Sequence, residues 1–90
     1  MTDKLYVGYA RRPDFYNPMP GFVYDNGRII VAETRASAVK KLIDYLENKN
    51  NIRGWQIPKG KIKLMTAAKD VPLEKRIKIL EQVIGSKSIR

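Results

Sequence analysis

Ninety residues, 43% hydrophobic and 30% charged, are typical of one small folded domain rather than of a disordered segment. The chain has no cysteine and no histidine, which excludes disulfides, thiolate metal sites and the commonest general base of enzymes. The net charge of +9 lies wholly after residue 34, since residues 1–34 sum to zero and residues 35–90 hold 14 Lys/Arg against five Asp/Glu. A polyanion is the partner that such asymmetry favours.

The N-terminal third alternates strand-like and proline-rich sequence. Residues 4–10 alternate side chains with a period of two, which predicts a first strand. Residues 11–21 contain Pro13, Pro18 and Pro20, and proline donates no hydrogen bond to a ladder. We therefore expect a loop from residue 11 to residue 21.

A hairpin is predicted around Asn26-Gly27, which separates the strand-like segments 22–25 and 28–32. Asn and Gly best tolerate the positive φ angles of a two-residue type I′ turn. Asp25 would then face Arg28. In this register one face carries Phe22, Tyr24, Ile29 and Val31, and the other carries Val23, Ile30 and Ala32. Because both faces are apolar, we expect both to be covered.

A first helix is expected after Thr34, whose hydroxyl is a good N-cap. Its buried stripe is predicted to be Val39, Leu42, Ile43 and Leu46. The helix should end in residues 48–51, which are rich in asparagine.

The C-terminal part predicts a strand at residues 61–65, where lysines occupy one face, and a helix that starts around Pro72. The stripe of this helix is Leu73, Ile77, Leu80 and Ile84, and Gly85 ends it. Residues 85–90 are expected to be a basic C-terminal tail.

The predicted fold is one α+β domain over residues 1–90, in the order β-β-β-α-β-α. Its sheet has three or four strands, mixed or antiparallel, and two helices packed mainly on one face. The strand at residues 61–65 should run parallel to the strand before the first helix.

Catalysis is not expected, and neither is a cofactor or a metal. The nine carboxylates are scattered, and one loop carboxylate such as Asp14 makes neither an acid–base pair nor a metal cage. The segment from Gly54 to Lys61 departs from a phosphate loop in its glycine spacing, lacks the Ser/Thr after the lysine and leads into a strand.

The basic C-terminal half indicates a small DNA- or RNA-binding protein. Lysines at 61 and 63 share a strand face, and a neighbouring tryptophan would offer a stacking surface for a base. The candidate nucleic-acid-binding residues are Arg53, Trp55, Lys59, Lys61, Lys63, Lys75 and Lys78. Two alternatives stay open: Trp55 as a plug at the edge of the core, and the second helix as an ordinary solvated face.

The competing hypothesis is a phage-like accessory protein, an adaptor or inhibitor of the kind that mobile elements encode. It would bind a protein through its proline-stiffened loop, because aromatic and Arg side chains are common interface anchors. The residues concerned are Arg11, Arg12, Phe15, Tyr16 and Met19. The same loop is equally expected to fold back over the open face of the hairpin.

No apolar run in the sequence reaches the 18 residues or so that a membrane span requires. We therefore expect a cytoplasmic protein without a membrane partner. It would be a monomer, or a homodimer paired through an edge strand such as residues 4–10.

Overall fold

The computed structural model describes residues 2–14, 18 and 21–90, apart from the side chains of Asn26 and Asn50. Its elements are β1 (Lys4–Pro13), β2 (Phe22–Ala32), α1 (Arg35–Asn50), β3 (Ile62–Leu64) and α2 (Leu73–Ile84). The α+β class, the small sheet and the two helices are confirmed, and strand and helix segments follow one another in the predicted order. Neither helix of this described part is long and apolar enough to cross a membrane.

The three strands form one antiparallel sheet in the order β2-β1-β3. β1 is the central strand and pairs antiparallel with both neighbours. Consequently β2 and β3 run in the same direction, as predicted for the strands before and after α1. They do not pair with each other, because β1 lies between them.

The turn predicted at Asn26-Gly27 is wrong, because these residues lie within the continuous strand β2. The register passes from Gly8 opposite Arg28 to Ala10 opposite Asp25, so the single residue between on β1 faces two on β2. This is a β-bulge, and Gly27 adopts the positive φ of 86° that such a bulge requires. Asn-Gly suits a bulge and a turn for the same conformational reason.

The predicted loop begins later than expected, because β1 continues to Pro13. Arg11 also exchanges two backbone hydrogen bonds with Gln56, at 2.8 and 2.7 Å. Pro13 is tolerated because it is the last residue of the strand. Within the predicted loop, residues 15–17, 19 and 20 lie outside the described residues.

The helices pack on opposite faces of the sheet, so the prediction that both lie mainly on one face is wrong. α1 places Ala38, Leu42 and Leu46 against the face that carries Tyr6 and Ile30. On the other face the α2 stripe packs against three buried strand side chains. These are Leu5, Ile29 and Val31. The two-stranded β1–β2 unit is apolar on both faces, so each face needs its own cover.

The helix ends follow their sequence signals. The Thr34 hydroxyl accepts a hydrogen bond from the Ser37 amide at 3.1 Å, and Asn51 ends α1 in the left-handed conformation. Gly85 ends α2 with a φ of 80°. The predicted caps are therefore confirmed.

The last two residues of the expected basic tail make specific contacts with the rest of the domain. Ile89 donates its amide to the Ile29 carbonyl and accepts from the Val31 amide, both at 2.8 Å. Arg90 donates two hydrogen bonds to the Glu74 carboxylate, at 2.8 and 2.7 Å. The chain end thus covers part of the outer edge of β2.

Candidate functional site

α2 is too short to cover its whole sheet face. Twelve residues of helix extend about 18 Å, whereas the eleven residues of β2 extend about 36 Å. The helix lies over Leu5, Ile29 and Val31, at one end of the β1–β2 pair. The other end of this face has no helix over it.

Three aromatic rings lie on this uncovered part. Tyr9 is 44% exposed, Phe22 is 42% exposed and Tyr24 is 62% exposed. Strand alternation and the register place them on the α2 face, since Tyr24 pairs with Arg11 and Phe22 pairs with Pro13. We call Tyr9, Arg11, Phe22 and Tyr24 the aromatic surface.

Contacts within the aromatic surface hold its side chains in place. The rings of Phe22 and Tyr24 lie 6.3 Å apart between centroids, at 51°. The Arg11 guanidinium lies over the Phe22 ring, 4.3 Å from its centroid, within the range of a cation–π contact. Tyr9 lies over the bulge, where a Cβ on Gly27 would stand 3.2 Å from the Tyr9 Cε1 atom.

Two lysines adjoin the aromatic surface from β3 and its entry. Lys61 and Lys63 are both exposed and, two residues apart, point to the same side. Lys61 lines a groove with Tyr9 and Tyr24. Lys63 lines a second groove with Tyr9, on the side where α2 ends at Ile84.

The carboxylate that shares a groove with Lys61 is already paired. Asp25 lines the groove of Lys61, but the Arg28 guanidinium donates to it at 3.0, 3.1 and 3.3 Å. The hydrogen bond to Asp25 raises the pKa of Arg28, against a smaller opposing effect of burial. Arg28 therefore stays charged and offsets the carboxylate, which leaves Lys61 and Arg11 to make this groove positive.

Trp55 does not offer a face to a base. It is only 8% exposed and belongs to the core on the α1 side. The Arg12 guanidinium lies 5.4 Å from the centre of its ring. This burial agrees with the alternative role as a core plug, and it removes Trp55 from the candidate stacking residues.

The other predicted nucleic-acid contacts are spread over the molecule. Of the predicted cations, Lys61 and Lys63 line the grooves beside the aromatic surface. Lys59 is exposed in the turn before Lys61. Three others are exposed on other elements: Arg53 after α1, and Lys75 and Lys78 on α2.

The two arginines of the predicted protein-binding loop do not lie on one surface. Arg11 and Arg12 are consecutive in β1, so their side chains point to opposite faces. One stacks on Phe22 and the other on Trp55. Phe15, Tyr16 and Met19 lie outside the described residues.

Sequence reasoning missed Tyr9, Phe22 and Tyr24 as site residues. A signal was present, because Phe22 and Tyr24 were predicted to share a face with Ile29 and Val31, and they do. The predicted length of the second helix indicates the rest, because such a helix covers only one end of that face. No protein-family model, curated protein or solved structure matches this chain, so the site is interpreted from its own geometry and charges.

Proposed function

We propose that the protein is a non-catalytic nucleic-acid-binding protein that uses the aromatic surface together with Lys61 and Lys63. The observation that carries the proposal is the position of these two lysines, which line grooves shared with the exposed ring of Tyr9. Ammonium groups neutralise phosphates, and the rings supply apolar contact with bases or sugars.

The charge of the chain supports this ligand. A net charge of +9 attracts a polyanion and accelerates its encounter with the protein. Phosphate contacts also release condensed counterions, which supplies much of the free energy of binding. The proposed interface thus combines lysines from the basic C-terminal half with aromatic rings from the neutral N-terminal third.

The remaining cations have a lesser role in this proposal. Lys59 precedes Lys61 by two residues and would extend the phosphate path. Arg53, Lys75 and Lys78 would contribute to the long-range field but not to the contact surface. We place this binding in the cytoplasm, with the protein a monomer or a homodimer.

The test is fluorescence anisotropy with labelled oligonucleotides at about 50 and 200 mM salt, where phosphate contacts lose much of their affinity. The double variant Lys61→Gln/Lys63→Gln removes two charges at the site. Lys75→Gln/Lys78→Gln removes two charges from exposed positions of α2 and serves as the matched control. The slope of log K against log salt, where K is the association constant, is negative. We expect the first variant to make this slope less steep by about 1.4 to 1.8, and the control to change it little.

Equal effects of the two double variants would contradict the location of the site. Absence of binding at about 50 mM salt would contradict the function itself. The competing function, an adaptor or inhibitor that binds a protein, would then be tested with Phe15→Ala/Tyr16→Ala, which should weaken binding to the protein partner. Binding through such a loop should depend little on salt.

A further inference from the structure

We infer that the ligand is a single-stranded nucleic acid, whose bases stack on Tyr24 and Tyr9 while Lys61 and Lys63 bind the adjacent phosphates. This inference rests on the proposed function and names the form of nucleic acid that the site takes. It starts from the exposure of the two tyrosines, 62% and 44%. Neither ring belongs to the two core clusters of the described residues.

The aromatic surface has the arrangement that unpaired bases need. Phe22 has its ring partly occupied by the Arg11 guanidinium, so Tyr24 is the ring with the largest free area. Tyr9 lies on the neighbouring strand and lines the same groove as Tyr24. Two adjacent rings on a sheet suit consecutive bases, because every base offers a π-face whatever its sequence.

The contacts that hold the two tyrosine rings in place favour binding of a flexible ligand. The Tyr9 ring is seated on the Gly27 backbone at the bulge, and the Tyr24 ring contacts that of Phe22. Rings that are held in place before binding lose little conformational entropy when a base stacks on them. The conformational entropy lost on binding is then mainly that of the nucleic acid.

A duplex does not fit this site as well. In a duplex the faces of the bases are hidden within the stack, so exposed rings have nothing to stack on. Among the described residues, the cations in the grooves that these tyrosines line are Arg11, Lys61, Lys63 and Arg28, and Arg28 is already paired with Asp25. Binding to a duplex through phosphates alone depends on the number of phosphates that Lys and Arg side chains neutralise. Exposed rings beside these charges indicate that base stacking adds to the phosphate contacts.

The experiment compares four labelled probes of one length: single-stranded DNA, single-stranded RNA, the DNA duplex, and a single strand with abasic sites in place of its bases. The abasic strand keeps the phosphates and removes the stacking partners. We expect tight binding of one or both ordinary single strands and much weaker binding of the duplex and the abasic strand. The two single-stranded probes show which sugar the site prefers.

Variants of Tyr24 test the ring directly. Tyr24→Ala is expected to weaken single-strand binding by about 5- to 150-fold, the range for losing one stacked base. Tyr24→Phe keeps the aromatic ring for stacking and should bind within about twofold of the original protein. The salt slope should be the same in both variants, because no phosphate contact is removed.

Two results would overturn the inference and leave the proposed function standing. One is a duplex or an abasic strand that binds as tightly as the ordinary single strand. The other is an unchanged affinity in Tyr24→Ala while Lys61→Gln/Lys63→Gln still lowers the salt slope. If none of the four probes binds, both the inference and the proposed function are wrong.

Discussion

The two faces of one small sheet differ in how completely they are covered. On the α1 face, the helix and the segment after it bury Leu42 and Trp55 against Ile30 and its neighbours. On the α2 face, the helix covers one end and leaves Tyr9 and Tyr24 exposed. Sixteen residues of α1 extend about 24 Å, against about 18 Å for α2. Helix length and a covering segment thus separate a face that is covered along its length from one that is covered at one end only.

The comparison also extends to the glycines of each face. A Cβ on Gly8 would stand 2.8 Å from the Leu42 Cδ2 atom, so glycine permits the close approach of α1 to β1. Gly27 instead supports the Tyr9 ring of the aromatic surface. One glycine allows the closed face to pack, and the other helps to shape the open one.

The largest expected effect is a loss of stability when a large side chain is shortened on the α1 face, compared with the same change on the α2 face. Leu42→Ala should lower the free energy of unfolding by about 2–5 kcal/mol, because it leaves a cavity in a fully buried position. Tyr24→Ala should change it by less than about 0.5 kcal/mol, as exposed positions usually do. Urea denaturation followed by circular dichroism measures both. A large loss in Tyr24→Ala would mean that the aromatic surface stabilises the fold.

The next effect concerns the bulge under Tyr9. Gly27→Ala forces an alanine into a φ of 86°, which should cost about 1–2 kcal/mol, and its Cβ would press on the Tyr9 ring. Gly54→Ala is the matched control, since Gly54 has a φ of 96° and no atom within 4 Å of an added Cβ. Both variants should lose stability in the denaturation assay, but only Gly27→Ala should also weaken single-strand binding. Equal binding by the two would show that the position of the Tyr9 ring is unimportant.

A smaller effect is expected from the ion pair that spans the bulge. Asp25→Asn removes the charge that Arg28 binds and should destabilise the protein by about 1 kcal/mol, because both side chains are partly buried. The control is Glu74→Gln, which removes the charge from a more exposed pair with Arg90. Thermal unfolding should show a lower midpoint for Asp25→Asn than for the control. The reverse order would contradict a stabilising role for the pair at the bulge.

The smallest expected effect is the loss of stability when the Glu74–Arg90 pair is broken at acid pH. The hydrogen bond from Arg90 lowers the pKa of Glu74, so the pair contributes at pH values above the ordinary glutamate pKa of about 4.3. That contribution is lost as the pH falls through the lowered pKa. Arg90→Gln should return the pKa of Glu74 towards its ordinary value, as followed by NMR of the carboxyl carbon. No difference between the two proteins would mean that the pair does not persist in solution.

Local signals predicted the elements better than their arrangement. Thr34, Asn51 and Gly85 cap the helices as expected, because capping depends on the backbone of only a few neighbouring residues. The bulge at Asn26-Gly27 could not be distinguished from a turn, since both need residues that accept positive φ. The choice depends on β1, which is long enough to pair along both halves of β2.

The candidate site shows the same division. The exposed lysines 61 and 63 were identified from strand alternation alone. The sequence leaves open whether Trp55 stacks on a base or plugs the core, because its burial depends on the β1 face and on Arg12, which are far from it in the sequence. Tyr9 and Tyr24 were missed for the converse reason, because their exposure depends on where α2 ends above the sheet.

The sequence by itself determined the excess of positive charge, the class of fold, the caps of the helices and the alternation of side chains along each strand. These properties follow from composition and from contacts between near neighbours in the chain. The tertiary structure decided which helix covers which face, how far each cover extends, and that Ile89 pairs with β2. Those outcomes depend on packing between segments far apart in the sequence, which no local pattern specifies.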